Sequence, residues 1–441
     1  MPESNPDCVM HLNKSLLAVL VFIMVSCSGR KEFSQWRGPD RDGKYPQTGL
    51  LKEWPDGGPE MLWSFEGLGA GHGSVSIAGD RLFVLGMPDT IGVIYSFDMQ
   101  GNLLWQKQYG LEWYANYTGP RSTPTIIGGL LYFVSGQGVA FCMETETGEV
   151  LWSVNMLERF EGQKITWGIA ESPLLDGDRL ILTPGGAEHN VVALDRFTGE
   201  TIWTSKGNGE PSGYCSPVLV RHNATRFIVT MTAESVIGVD AENGHALWRI
   251  ELRQSNKINA NSPVYNNGRV FCATAKADTI HGHVMIRLSE DGKTAEVGWR
   301  NEEWFNLIGG LILHEGCLYS STFNKKEFYC LDAGTGDLRY VSDQVSGGAI
   351  IYADGRFYCY GTDGIMALVK ADENTCRVIS SFKVPLGSGQ HWAHPVIHGG
   401  NLYVRHGDAL MCYDIAGEFT AYIPLVSASH RPNKLPFYIQ P

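Results

Sequence analysis

Ala193-Leu194-Asp195-Arg196-Phe197-Thr198-Gly199-Glu200-Thr201-Ile202-Trp203 holds the pattern on which the fold turns. A short apolar run ends on an acidic residue, passes a glycine, and resumes as a run carrying tryptophan. Asp bonds the backbone of a tight turn through its side chain, and Gly supplies the positive φ that the turn needs. The stretch therefore reads as two antiparallel strands and their connection. Copies run from Asp98 through Gly101 to Trp105, from Glu144 through Gly148 to Trp152, and from Asp240 through Gly244 to Trp248. Gly292 to Trp299 is a stretched copy, and Asp332 through Gly336 reaches Tyr340 in place of Trp. Asp372 to Phe382 is degenerate, and Tyr413-Asp414 is followed by Gly417 without a Trp.

Between these copies lies a second signal, a Ser-Pro-like strand start followed by a glycine turn. It occurs at Thr123-Pro124, Ser172-Pro173, Ser262-Pro263 and His394-Pro395, with weaker forms near Ser74, Ser216, Gly309 and Gly348. Both signals recur about every 45 residues, a propeller-like period rather than that of a helical solenoid. A four-stranded unit cannot bury both its faces alone, and radial stacking covers them. The expected fold is all-β: an eight-bladed β-propeller, with each Trp ring lying between neighbouring blades. Leu62-Trp63-Ser64-Phe65 is a Trp strand with no unit before it, so it is expected to complete the last blade and close the ring. The expected boundaries are a leader over 1–27, an N-terminal extension over 28–61, the propeller over 62–425 and a tail over 426–441.

The 441 residues carry a net charge of −12, which argues against a nucleic-acid partner. Lys14 precedes an apolar run from Leu16 to Val25, too short to span a bilayer but suited to a signal peptide. Ile23-Met24-Val25-Ser26-Cys27 resembles a bacterial lipobox, so Cys27 is the expected lipidation site. An ordinary signal peptide with an incidental cysteine is the plainer alternative. A lipid anchor implies the cell envelope, most simply the outer membrane facing the periplasm. Ten cysteines in an exported chain invite disulfides. Cys142, Cys330 and Cys412, however, share one repeat position with Ser96 and Ala193, which marks them as small buried residues.

The quoted stretch resembles the pyrroloquinoline-quinone (PQQ) type repeat, roughly Ala-Leu-Asp-x-x-Thr-Gly-x-x-x-Trp. Trp36-Arg37-Gly38-Pro39-Asp40-Arg41-Asp42-Gly43 is similar to a motif that opens many exported bacterial propellers of this kind. The resemblance covers nearly everything after residue 33 and speaks for the fold far more than for function. One branch consists of quinoprotein dehydrogenases that bind PQQ and calcium, many with two adjacent cysteines as a ring platform. Here there is no adjacent pair, and Cys215 stands alone. Another branch binds no quinone and includes the propeller lipoprotein of the outer-membrane barrel-assembly machine.

Residues just ahead of the Ser-Pro-like starts are expected to converge on one mouth of the central channel. They include His72, Arg121, Trp167, Glu171, Tyr214, Asn259, Asn261, Asn306, Gln390, His391, Trp392 and His394. Convergent polar groups with aromatic walls suit a small-molecule pocket. Arg121 offers a fork for a carboxylate, Trp167 or Trp392 a platform for a sugar or quinone, and Glu171 or His391 a weak candidate base. Channel solvation explains the same polarity without a ligand. The expectation is a non-catalytic binding or scaffold module without a cofactor or metal, for a small molecule, glycan or protein. The alternative is a PQQ- and calcium-dependent dehydrogenase of alcohols or sugars.

Overall fold

A computed structural model describes residues 33–252, 257–275, 281–323 and 325–417. The leader with Cys27 and the tail over 426–441 lie outside the described residues, as do the propeller's expected last residues 418–425. Eight sheets follow one another along the chain, each with a four-stranded antiparallel meander. Blade 1 runs from Ser76–Ala78 to Leu103–Leu111, and blade 7 from Gly348–Ala353 to Cys376–Lys383. Blade 8 takes three strands from the C-terminal end, Val396–His398, Asn401–His406 and Ala409–Asp414. Its outermost strand is Met61–Glu66, with Trp63 opposite Cys412 and Phe65 opposite Leu410. The ring is thus an eight-bladed propeller of PQQ-like repeats closed by the N-terminal strand.

The repeat motif has a mechanical meaning at the blade junctions. The Trp of one blade lies on the turn glycine of the next. A Cβ built on Gly101 would stand 2.5 Å from the Trp63 ring. The same holds for Gly148 against Trp105 at 2.8 Å, Gly199 against Trp152 at 3.0 Å, Gly244 against Trp203 at 2.6 Å and Gly336 against Trp299 at 2.6 Å. Each of these indole N–H groups donates to a carbonyl of the following blade, for instance Trp63 to Met99 at 3.1 Å and Trp203 to Ala241 at 3.2 Å. Glycine is therefore required twice over, for a positive φ (84° at Gly101) and for room. The stretched fifth copy breaks the rule: Gly292 meets Phe227 and His222, and the Trp248 N–H has no partner.

The Ser-Pro-like starts form a belt around the channel. Ser74 N–H donates to Thr123 Oγ1, Thr123 N–H to Ser172 Oγ, and Ser172 N–H to Ser216 Oγ, each at 2.9 Å. Ser262 Oγ donates to the Ser216 carbonyl and Ser74 Oγ to the His394 carbonyl, both at 2.8 Å. These hydroxyls satisfy backbone groups that the short inner strands leave unpaired. The eight described cysteines are all free and buried.

The segment ahead of the first repeat, expected as a plain extension, is spent inside the ring. Phe33–Ser34 adds to the inner edge of blade 2, and Lys44–Tyr45 adds in parallel to blade 7. The chain crosses the channel between them. Arg37 and Arg41 sit in the left-handed region, at φ of 62° and 58°. That costs about 1–2 kcal/mol each, and hydrogen bonds offset it. All five N–H groups of Arg41 are used: Gln35 Oε1 at 2.6 Å, the Ser172 and Pro217 carbonyls at 2.9 and 3.1 Å, Thr125 Oγ1 at 3.4 Å, and the Pro173 carbonyl. Arg37 donates to the Leu311 carbonyl at 2.7 Å and fills space that Gly43 and Gly310 leave open. Burial lowers the two guanidinium pKa values to about 10 and about 9, so both stay charged at neutral pH.

Trp63 carries the ring closure, so Trp63→Ala is expected to destabilise the protein by about 3 kcal/mol. Leu62 on the same strand is 47% exposed, and Leu62→Ala should change stability by about 0.5 kcal/mol or less. Urea titration of both variants checks this; equal midpoints would refute closure through the Trp63 contact.

Candidate ligand pocket at the channel mouth

One cavity of about 280 Å³ opens at the mouth of the channel. Segments leading into seven of the eight blades line it, which is possible only on the axis. Blade 1 contributes His72, blade 2 Tyr117 and Arg121, blade 3 Trp167 and blade 4 Tyr214. Blades 5 and 6 contribute the apolar Ile258, Ala260, Leu307 and Ile308, and blade 8 contributes Trp392 and His394. Phe323 enters from a hairpin of blade 6, and Trp36 of the crossing segment forms part of the lining. Six of the residues expected at the mouth thus meet in one cavity: His72, Arg121, Trp167, Tyr214, Trp392 and His394.

Glu171, Asn259, Asn261 and Asn306 do not line it. They are buried and bonded to the backbone. Glu171 accepts from Thr183 N–H at 3.0 Å and from Thr183 Oγ1. Asn259 donates to the Thr232 carbonyl at 2.7 Å. Asn261 donates to the Asn306 carbonyl and accepts from Gly310 N–H, both at 2.8 Å. Asn306 accepts from Gly309 N–H at 2.7 Å and donates to the Gly310 carbonyl at 3.1 Å. Their amides and carboxylate tie irregular backbone next to the belt, which is why polar residues recur ahead of the strand starts.

The histidines are also placed. His394 Nδ1 faces the Arg37 guanidinium at 3.3 Å and must accept there, so its Nε2–H donates to the Ile308 carbonyl at 2.9 Å. Burial and the Arg37 charge push its pKa down to about 3. It is a neutral imidazole with both nitrogens engaged. His391 turns elsewhere: its Nδ1 lies 2.6 Å from Tyr360 Oη, and its ring stacks on His406 at 3.7 Å. His391 and His394 therefore do not chelate together. Among the described residues no group of three His, Cys, Asp or Glu gathers as metal ligands.

Arg121 does not present a free fork. Its Nη1 donates to the Gly119 carbonyl at 3.0 Å, and its Nη2 to the Tyr117 and Asn116 carbonyls at 2.6 and 3.4 Å. It braces the loop over 112–119. Glu112 anchors the start of that loop by accepting from Trp113 and Gly136 N–H at 2.7 and 2.6 Å. At its crest Tyr117 is held at φ 52° and is 46% exposed. The Tyr117 ring stands 5.6 Å from Trp167 and 4.9 Å from Trp392, both inclined. Trp36, Tyr117 and Phe323 escaped the sequence reading because they precede no strand start. The only sequence signal for Trp36 was its place in the opening motif.

The family described as outer membrane protein assembly factor BamB matches residues 90–342. The chain belongs to this family. BamB of Kangiella koreensis is 26% identical over 139 residues, 30% of this chain and 32% of that protein. The quinohemoprotein alcohol dehydrogenase of Comamonas testosteroni is 26% identical over 184 residues, 36% of this chain and 25% of that enzyme. The chain spans a third or less of the length of these curated relatives. Among solved structures, BamB from Moraxella catarrhalis matches at a TM-score of 0.56 and 12% identity, over 81% of this chain and 99% of that one. The quinohemoprotein alcohol dehydrogenase ADHIIG from Pseudomonas putida HK5 matches at 0.58 and 12% identity, over 90% and 81%. At such identities these two structures share the fold.

PQQ with calcium is the cofactor that the dehydrogenase branch implies, and the residues here do not fit it. A planar tricarboxylate needs several free cationic or amide donors, and calcium needs six to eight oxygens. Arg121 is committed to its own loop, and the oxygens of Glu171, Asn261 and Asn306 are committed to backbone N–H groups or to Thr183.

Glu171 has a further consequence for stability. Burial raises its pKa from 4.5 to about 7, against hydrogen bonds from Thr183 and the charge of Arg41. Between these values the folded protein holds a proton that the unfolded chain has released, so stability falls as pH rises through that window. Glu171→Gln removes this linkage. Relative to the variant, the wild type is expected to lose about 2–3 kcal/mol between pH 4.5 and pH 8, measured by urea unfolding. A constant difference across the range would refute the burial argument.

Proposed function

We propose that this chain is an envelope-tethered propeller that binds its partner without transforming it, as a binding or scaffold module for a small molecule, glycan or envelope protein. One observation carries the reading. Of the side chains at or beside the mouth that offer acid, base or ion-pair chemistry, Glu171, His394 and Arg121 are bonded within the protein and burial holds His72 neutral, whereas the aromatic walls remain open. A rigid ring with an open aromatic mouth is built to recognise. Membership of the BamB family supports a place in envelope assembly, and Cys27 supplies the lipid tether in this reading.

The rival is a quinoprotein dehydrogenase, supported by the quinohemoprotein relatives. Purified protein incubated with PQQ and calcium, then desalted, is expected to retain no stoichiometric quinone absorption and to show no dye-linked oxidation of alcohols or sugars. Stoichiometric quinone with turnover would overturn the binding reading and promote the dehydrogenase.

Tethering is tested separately. Cells expressing the wild type should label with a palmitate analogue, and Cys27→Ala should abolish the label and release the protein to the soluble fraction. A labelled, membrane-bound variant would show that Cys27 is not the anchor.

A further inference from the structure

We infer that the mouth cavity is a saccharide site, taking an uncharged, hydroxyl-bearing sugar ring against Trp167 and Trp392 beneath Tyr117. The inference rests on the binding reading above and names the ligand class of that same pocket.

The walls come first. Tyr117 stands between Trp167 and Trp392, and Phe323 lies 5.9 Å beyond Trp392. All these pairs are inclined at 51–57° rather than stacked, so the rings do not bury their faces wholly on one another. Half-exposed aromatic faces around a small cavity suit the C–H face of a pyranose. At about 280 Å³ the space lies at the low end for a ligand pocket, which suits one or two sugar units.

The polar groups discriminate further. His72 lines the cavity with its ring 5.0 Å from Trp392, and neither of its buried ring nitrogens has a hydrogen-bond partner. The backbones of Tyr117 and Thr118 lie near it without completing a bond of normal geometry. Burial, with the charges of Arg121 and Arg405, lowers its pKa to about 3, so it is neutral and offers one donor and one acceptor. A hydroxyl is also both donor and acceptor. A carboxylate finds no ready fork, because both terminal nitrogens of Arg121 already serve loop carbonyls.

The site is also prepared in advance. Tyr117 occupies a left-handed conformation that non-glycine residues seldom adopt, and Arg121 holds it there through the Tyr117 and Gly119 carbonyls. Strain of this kind persists where surrounding contacts over-determine it, and it clusters at ligand clamps. The crossing N-terminal segment adds Trp36 to the lining, with its ring edge-on to His394 at 5.3 Å. Arg121 is accordingly a positioning residue, and Trp167, Trp392 and His72 are the contact residues.

The test uses the full chain and its tryptophan fluorescence, with calorimetry as the second readout. The probes are four neutral disaccharides (maltose, cellobiose, lactose and chitobiose), digalacturonate as the anionic arm and indole as the apolar arm. At least one neutral disaccharide is expected to bind with millimolar affinity or better, unchanged within twofold between 50 and 500 mM salt. Trp392→Ala, Trp167→Ala and His72→Ala are each expected to weaken it tenfold or more, with unfolding midpoints confirming that the variants are folded. Trp392→Phe and His72→Asn should recover part of the loss. Salt-sensitive binding of digalacturonate alone, binding of indole alone, or no binding by any probe each overturns the saccharide inference. Failure of the binding reading itself is seen elsewhere, as quinone-dependent turnover.

Discussion

A tryptophan ring pressed onto a neighbouring turn glycine is the contact on which the ring depends. It recurs from blade to blade with the same partners, at Trp63–Gly101, Trp105–Gly148, Trp152–Gly199, Trp203–Gly244 and Trp299–Gly336. The indole fills the space that a Cβ would take, and its N–H finds a carbonyl in the next blade. Such a ring has no natural end, so closure requires one strand from the opposite terminus. Met61–Glu66 provides it and brings Trp63 to blade 1. Where the outer strand of blade 7 carries Phe382 instead of Trp, the glycine it meets is Gly58, contributed by the N-terminal segment. The chain start therefore takes part in closure on both sides of blade 8.

The second constraint is the channel itself. Eight sets of inner strands leave carbonyls pointing at an axis with no regular partner. The belt of Ser and Thr hydroxyls satisfies some of these groups, and Arg41 satisfies others at three carbonyls of blades 3 and 4. Arg37 and Arg41 bring charge into a buried space, and burial lowers both pKa values. Their count of hydrogen bonds makes the burial tolerable. Burial, helped by nearby arginine charges, holds two histidines neutral: Arg37 lies beside His394, and Arg121 with Arg405 beside His72. The chemistry of the mouth is thus set partly by what plugs the channel below it.

The candidate site was legible in part. Counting residues ahead of each strand start located the mouth, because a propeller brings equivalent positions of every blade to the axis. That rule carried His72, Arg121, Trp167, Tyr214, Trp392 and His394 into one cavity. It carried Glu171, Asn259, Asn261 and Asn306 with them on paper, although these turn into the protein to bond backbone. Register separates most of the two sets: His72, Arg121, Tyr214 and Trp392 stand two residues ahead of their strand starts, whereas Glu171, Asn259, Asn261 and Asn306 stand one or three ahead. Side chains at the odd positions bond neighbouring backbone instead of facing the cavity.

The sequence by itself determined the fold class, the number of blades, the closing strand and the burial of the repeat cysteines. These rest on local rules: Asp and Gly make a turn wherever they occur, and a period of about 45 residues admits little else. Tertiary structure alone decided that Trp36-Arg37-Gly38-Pro39-Asp40-Arg41-Asp42-Gly43 threads the channel, that Arg121 grips its own loop, and that Tyr117 stands over the cavity. The Arg121 contacts are local but irregular. The first and last of these join residues far apart in the chain, up to the 357 positions between Arg37 and His394. Such contacts leave no periodic trace, because they form only where closing the ring has placed distant backbone around one axis.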